Sequence, residues 1–123
     1  MAIAIEPGRI VDYVLKNDRK LPKEQQTVFK IKVLTARELA QIEDSYSTID
    51  MDGQFHFKTG TRTLAILDVA VTGWENLKDK KEQPIPYDKG NANRWDYLRQ
   101  DYRTELANFI TEQTRLNEGE LKN

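Results

Sequence analysis

The residues that most constrain this chain are 64–71, LAILDVAV, the most apolar stretch it contains, with a single charged group. Any fold has to bury this run. At helical spacing Leu64, Leu67 and Val71 share one face, while Ile66 and Val69 turn toward another. A helix apolar around much of its circumference is one that is covered on more than one side. Thr59 or Thr61 is placed to cap its start, and Gly73 to end it as the left-handed residue just past the last turn. Trp74 follows at once, then a charged segment, 78–83, then Pro84-Ile85-Pro86 and Tyr87. Trp74 is expected to pack back on the core while the prolines hold the return path extended. The half from Trp74 to Tyr87 reads as a preformed, aromatic surface. It suits binding at little ordering cost.

Before this unit lies a strand pair. Residues 10–16 are rich in β-branched and aromatic types, with Val11, Tyr13 and Leu15 on one face. Residues 27–33 alternate more cleanly, Phe29, Ile31 and Val33 against Lys30 and Lys32, and period two marks a half-buried strand. The connection, 17–26, is too long for a tight turn, so an antiparallel hairpin with a wide loop is expected. Residues 16–32 hold six basic groups against Asp18 and Glu24. They are either a docking patch for an acidic partner or phosphate backbone, or a solvated face whose lysines guard an edge. Ahead of the pair, residues 1–9 are expected to form a mobile arm that Pro7-Gly8 separates from the domain. The alternation of Ile3 and Ile5 with Ala2, Ala4 and Glu6 also suits addition to a partner's sheet edge.

Thr35-Ala36-Arg37-Glu38 matches a capping box and predicts a helix start, with Leu39, Ile42 and Tyr46 on its inner face and a fade over 45–47. Asp52-Gly53 then predicts a two-residue turn between two short strands. The same residues copy part of a calcium loop, but Thr59 stands where the bidentate glutamate is required, so the reading is a turn. His56, the sole histidine, is expected to face solvent from its strand.

The last third predicts a long helix. Asn93 to Asp96 offers an N-cap with an acidic residue in the first turn. Trp95, Leu98, Tyr102, Leu106, Phe109, Gln113 and Leu116 recur at three- and four-residue steps. The stripe serves either the core or a partner helix. Asn117 and Gly119 end the helix, and a polar tail, 119–123, follows.

At 123 residues the chain suits one domain. The expected organisation is an arm over 1–9, a single α+β domain over 10–118 and the tail. In it an N-terminal antiparallel hairpin, a second short hairpin and three main helices pack on one side. A net charge of −1 makes a dedicated nucleic-acid binder an unfavoured class. Without cysteine there is neither disulfide nor thiolate chemistry. No run reaches the roughly 18 apolar residues of a membrane helix, and no basic segment precedes the N-terminal apolar residues, so no membrane or secretory role is expected. The sequence offers no phosphate loop, no histidine cluster and no nucleophile with its base. No cofactor, metal or catalytic residue is expected, and the chain is not expected to be an enzyme; a hydrolase using carboxylates near the central loop is the weakest class.

The order of an apolar helix, G-W-x-N-x-x-D (73–79) and P-I-P-Y (84–87) resembles a family of small tailed-bacteriophage proteins of the tail assembly chaperone-like or minor structural type. DYVLKNDR, EQQTVFKIKVLT, ELANFI and RLNEGELKN extend the likeness over residues 10–123, with 74–87 its most specific part. One departure is Glu82-Gln83, where the family usually has glycine before the proline block, and it implies a wider loop here. The resemblance carries no catalytic residue. It implies a morphogenesis protein that binds tail-tube, tape-measure or capsid components in the host cytoplasm, with homo-oligomer formation a further option. The candidate partner-binding residues are Trp74, Asn76, Pro84, Ile85, Pro86, Tyr87 and Trp95. The alternatives are a minor head or tail protein retained in the virion, and a phage regulator binding a host protein or nucleic acid through the basic hairpin.

Overall fold

In the computed structural model, which describes residues 1–115 apart from 5 and 7, strands β1 (Ile10–Val14) and β2 (Val28–Lys32) pair antiparallel. Tyr13 stands opposite Phe29 and Val11 opposite Ile31. The period-two pattern sorts the two faces as the sequence predicts. Tyr13, Phe29 and Ile31 are buried, and on the far face the Lys30 ammonium meets Asp12 at 2.8 Å and Glu75 at 3.8 Å. The wide β1–β2 loop folds into two single 3₁₀ turns, Lys16–Asp18 and Lys23–Gln25, and closes where the Thr27 N–H donates to the Asp18 carboxylate at 3.1 Å. The Gly8 N–H donates to the Val33 carbonyl at 2.7 Å and the Val33 N–H to Arg9 at 2.8 Å, so Gly8 and Arg9 prolong the hairpin.

Helix α1 (Ala36–Ser45) starts with the predicted box: the Glu38 N–H donates to the Thr35 hydroxyl at 3.0 Å, and the Thr35 N–H to the Glu38 carboxylate at 2.9 Å. Each bond satisfies an otherwise orphan N–H. The helix buries Leu39 and Ile42 and gives way to a second hairpin, β3 (Ser47–Ile49) and β4 (Phe55–Phe57). The turn between them differs from the two-residue prediction. The Asp50 N–H donates to the Gln54 carbonyl at 2.9 Å and the Gly53 N–H to the Asp50 carbonyl at 3.0 Å, leaving three residues at the tip, with Gly53 at φ 80°. Asp50 selects this geometry because its carboxylate accepts the N–H groups of Asp52 and Gln54, both at 2.9 Å.

The central stretch departs most from expectation. Helix α2 (Thr59–Ala70) ends at Ala70, and strand β5 (Val71–Glu75) begins at the next residue. Gly73 is therefore no helix stop; it lies in β5, opposite Lys30, and has no positive φ. The β-branched pair Val71-Thr72 favours extension, and the free edge of β2 supplies the hydrogen-bond partner that makes a strand the better state. The sheet order is β1-β2-β5, with an irregular register where Lys30 pairs with Gly73 and Ile31 with Val71. Thr72 is the extra residue of this bulge, and its hydroxyl donates to the Lys30 carbonyl at 3.2 Å. Neither Thr59 nor Thr61 caps α2, whose N-cap position is Lys58 with no side-chain bond. Ile66, Leu67 and Ala70 face the core, whereas Leu64 and Val69 remain exposed.

The terminal helix is also divided. A 3₁₀ turn, Arg94–Tyr97, comes first, Leu98 is extended, and α3 (Gln100–Arg115) follows. The Asn93 side chain makes no cap. The break lets Arg94, Trp95 and Leu98 all reach the interior, and Arg103 donates to the carbonyls of Trp95 and Leu98 at 3.3 and 3.1 Å, the Trp95 carbonyl also accepting the Leu98 N–H. Leu106, Ala107 and Ile110 place the α3 stripe against the core. Leu116, Asn117, Gly119 and the tail 119–123 lie outside the described residues.

The result is an α+β fold. The three helices and the inner face of the sheet share one apolar cluster running from Tyr13 to Ile110. Glu43 of α1 ties the helices at their rim, pairing with Arg62 of α2 at 3.6 Å and Arg115 of α3 at 2.5 Å.

Candidate functional site

β5 positions the first of the predicted site residues. Trp74 faces Phe29 across the β2–β5 register and points into the core, its ring edge-on to Phe29 at 6.3 Å. The chain then reverses through a ribbon in which the Ile85 N–H donates to the Leu77 carbonyl at 2.7 Å, bringing the proline segment back across the sheet edge. Trp74 Nε1–H donates to the Ile85 carbonyl at 2.8 Å. Tyr87 sits edge-on to Trp74 at 4.9 Å, and Trp95 lies 6.1 Å from Trp74 and 6.3 Å from Tyr87. Three aromatic rings separated in sequence thus form one cluster, and it is internal. The Tyr87 hydroxyl donates to the Val71 carbonyl at 2.8 Å, serving the junction where α2 becomes β5.

Two residues that the sequence reading passed over hold this cluster. Arg94, only 5% exposed, stacks over Trp95 at 4.5 Å and Tyr87 at 5.4 Å. Its Nε–H donates to the Tyr87 hydroxyl at 3.1 Å, Nη1 to the Asn91 carbonyl at 3.0 Å, and Nη2 lies 3.4 Å from Asp68. Asp68 also accepts the Trp95 indole N–H at 2.6 Å. A buried guanidinium is tolerable only with its charge paired and its donors engaged, and here both conditions hold. The available sign was Asp68, the one carboxylate inside the most apolar run; it sits half-exposed at the rim of the cluster, where it meets Arg94 and Trp95.

Trp74 packs on the core as expected and Trp95 is buried beside it, while Tyr87 is half-buried with its hydroxyl engaged by Val71 and Arg94. Among the described residues no buried side-chain polar atom lacks a partner. Asn76 is also structural. At φ 61° it donates from Nδ2 to the carbonyls of Glu24 and Gln26, both at 3.1 Å, and so fastens the 76–84 loop to the β1–β2 loop. Ile85 is half-buried. Only Pro84 and Pro86 of the predicted set are exposed.

An exposed apolar patch lies elsewhere, on the β3–β4 hairpin. Ile49 and Phe55 are cross-strand partners, 62% and 65% exposed, and Met51 at the tip is fully exposed. On the opposite face His56 Nε2 meets the Asp50 carboxylate at 2.6 Å, and that contact, ahead of the bonds from Gln54 and Asp52, holds the Asp50 carboxyl below its usual range. His56 is solvent-facing, as predicted. Asp50 both shapes the turn and anchors β4, so the apolar pair is displayed on a braced frame.

A polar cleft of about 460 Å³ lies between β1 and α3, lined by Tyr13, Lys16, Arg19 and a stripe of α3 that includes Asp101, Glu105 and Glu112. Its carboxylates are largely engaged. Glu105 accepts the Tyr13 hydroxyl at 2.6 Å and the Lys16 N–H at 2.9 Å, and Asp101 pairs with Arg99 at 2.6 Å. Burial of Tyr13, reinforced by its bond to Glu105, pushes the phenol up to about 12. The phenol is thereby held as a proton donor to Glu105 across the neutral range. Among the described residues no three His, Asp or Glu side chains are grouped to hold a metal ion, and no helix is long and apolar enough to cross a membrane.

Comparison with known protein families, with curated proteins and with solved structures gives no match to this chain.

Proposed function

We propose that this chain is a non-enzymatic protein-binding domain of tailed-phage morphogenesis, a tail assembly chaperone-like protein that engages tail components through the β3–β4 hairpin. The carrying observation is the outer face of that hairpin, where Ile49, Phe55 and Met51 are largely in solvent on a turn braced by Asp50. A two-stranded ribbon gains little stability from apolar side chains left in water. Displayed on a fixed frame, they supply burial at a small ordering cost once a partner arrives. The phage setting rests on the resemblance over residues 10–123, and its partner classes are the tail-tube and tape-measure proteins.

The test is co-expression of the tagged chain with tail-tube and tape-measure proteins, followed by affinity capture. One of them is expected to co-purify, and the Ile49→Ser/Phe55→Ser variant is expected to lose it. A chain that captures no virion component sinks the proposal. Mass spectrometry of purified particles adds a second arm: stoichiometric retention in the virion replaces the chaperone role with that of a minor structural protein.

A further inference from the structure

The cations of this protein divide into two sets. Among the described residues Lys30, Lys32, Arg62, Arg94, Arg99 and Arg115 are ion-paired, whereas Arg9, Lys16, Arg37, Lys58, Lys89 and Arg103 have no carboxylate within 4.0 Å. Among the described residues Arg19, Lys20, Lys23, Lys78, Lys80 and Lys81 also have no carboxylate within 4.0 Å, and all six are exposed. The fold brings together the two loops that carry these six, while Arg19 itself turns over the Tyr13 ring at 5.5 Å, its Nε–H donating to the Val14 carbonyl at 3.2 Å, in the cleft lined by Asp101, Glu105 and Glu112. β1 ends, β2 begins and β5 ends at one edge of the antiparallel sheet, so the loops over 16–26 and 76–84 leave it side by side. Asn76 stitches them through its bonds to Glu24 and Gln26, and the Thr27 hydroxyl donates to the Asn76 carbonyl at 2.9 Å.

The nearby carboxylates offset this charge only in part. Asp18 accepts the Thr27 N–H, and Asp79 accepts the N–H groups of Lys81 at 2.8 Å and Gln83 at 2.9 Å. Residues 16–26 and 76–84 hold seven cations, these six and Lys16, against four carboxylates, Asp18, Glu24, Asp79 and Glu82, in a chain whose net charge is −1. The described residues with positive φ other than glycine are Asn76 and Glu82, both in this unit. Backbone strain is kept where the surrounding structure has a use for the shape, and here it fixes the ribbon that carries Lys78, Lys80 and Lys81.

We propose that these two loops form one cationic docking surface for an acidic protein segment. Charge complementarity identifies the partner's sign. The chemistry between the lysines identifies its class. Leu21, 41% exposed, and the exposed Pro22 and Pro84 interleave with the cations, and neither loop contains an aromatic residue on which a base could stack. Single-stranded nucleic acids need such stacking platforms, and duplexes need a larger basic excess. A peptide with carboxylates spaced around an apolar residue fits the arrangement. This surface is distinct from the β3–β4 hairpin.

The experiment is fluorescence anisotropy of the intact chain with a labelled Glu/Asp-rich peptide containing leucine, at low salt and at 0.3 M salt, beside single-stranded and duplex DNA of equal length. Peptide binding that falls steeply with salt is expected. Lys20→Glu/Lys23→Glu and Lys80→Glu/Lys81→Glu are each expected to weaken it by about tenfold. Lys58→Glu/Lys89→Glu, which changes the net charge equally, is expected to leave it within about twofold. Equal losses in all three variants mean a bulk charge effect and overturn the surface. Tighter binding of either DNA overturns the partner class, and absence of peptide binding at low salt overturns the proposal. Circular dichroism of each variant separates lost binding from lost fold.

Discussion

Glu82 occupies, at φ 60°, the position in its turn that Gly53 occupies at φ 80° in the β3–β4 turn. The two turns are built alike. Asp79 accepts the N–H groups of Lys81 and Gln83 just as Asp50 accepts those of Asp52 and Gln54, and the Glu82 N–H returns to the Asp79 carbonyl at 3.0 Å. The loop is therefore tight despite lacking glycine, and the wider loop expected from Glu82-Gln83 does not form. A side chain in the left-handed region costs about 1 kcal/mol, so Glu82→Gly is expected to stabilise the protein by about 0.5–1 kcal/mol in urea unfolding. Tyr87 carries the opposite expectation. Its hydroxyl serves both Val71 and Arg94, so Tyr87→Phe leaves a carbonyl and a guanidinium donor short of a partner. A loss of about 1–3 kcal/mol follows, against about 3–5 kcal/mol for Trp74→Ala, which empties part of the core. A Tyr87→Phe protein as stable as the parent would show that water replaces the hydroxyl.

At the level of elements, α1 is the one whose start is written most locally. Thr35→Ala removes the acceptor for the Glu38 N–H and is expected to cost about 1 kcal/mol. The box also has a pH signature. The bond from the Thr35 backbone N–H, and then Lys32 at 3.2 Å, hold the Glu38 carboxyl below its usual 4.5, with burial acting in the opposite direction. A carboxyl depressed in the folded state stabilises the protein above its unfolded value and loses that contribution as the pH falls through the folded value. Stability from this group is thus complete above about pH 5 and fades as the pH descends below 4.5. Thermal melts of the parent and of Glu38→Gln should converge at acid pH; a constant gap between them excludes this linkage. α2 and β5 follow a different rule. Their boundary carries no stop residue, and it is set by the strand partner that β2 provides and by the Tyr87 hydroxyl on the Val71 carbonyl.

For the molecule as a whole, the two ends of the chain's surface carry different chemistry. The β3–β4 hairpin shows apolar side chains, and the joined loops at one edge of the larger sheet show unpaired cations. Ile49 and Phe55 are exposed and outside the core cluster, so the Ile49→Ser/Phe55→Ser variant is expected to melt within about 0.5 kcal/mol of the parent while losing its partner. A large loss of stability in that variant would place the pair in the fold rather than in recognition. The separation of the two surfaces also predicts that charge reversal in the loops leaves hairpin-mediated capture intact.

The sequence by itself determined the features whose energy is local. Alternation over 27–33 gave β2 its buried face, Thr35 and Glu38 set the start of α1, Asp52-Gly53 marked the place of a turn though not its length, and the apolar run 64–71 marked the centre of the core. What only the tertiary structure decided was β5 and the fate of the aromatic block. Val71 to Glu75 become a strand because β2 offers unpaired backbone groups on the far side of the sheet, a partner some forty residues away in the chain. Trp74, Tyr87 and Trp95 meet because partners far from them in the chain take their polar atoms: the Ile85 carbonyl accepts the Trp74 indole, Val71 accepts the Tyr87 hydroxyl, and Asp68, itself paired with Arg94, accepts the Trp95 indole. A local pattern can state that a tryptophan needs cover; which face covers it depends on contacts that exist only once the chain has closed on itself.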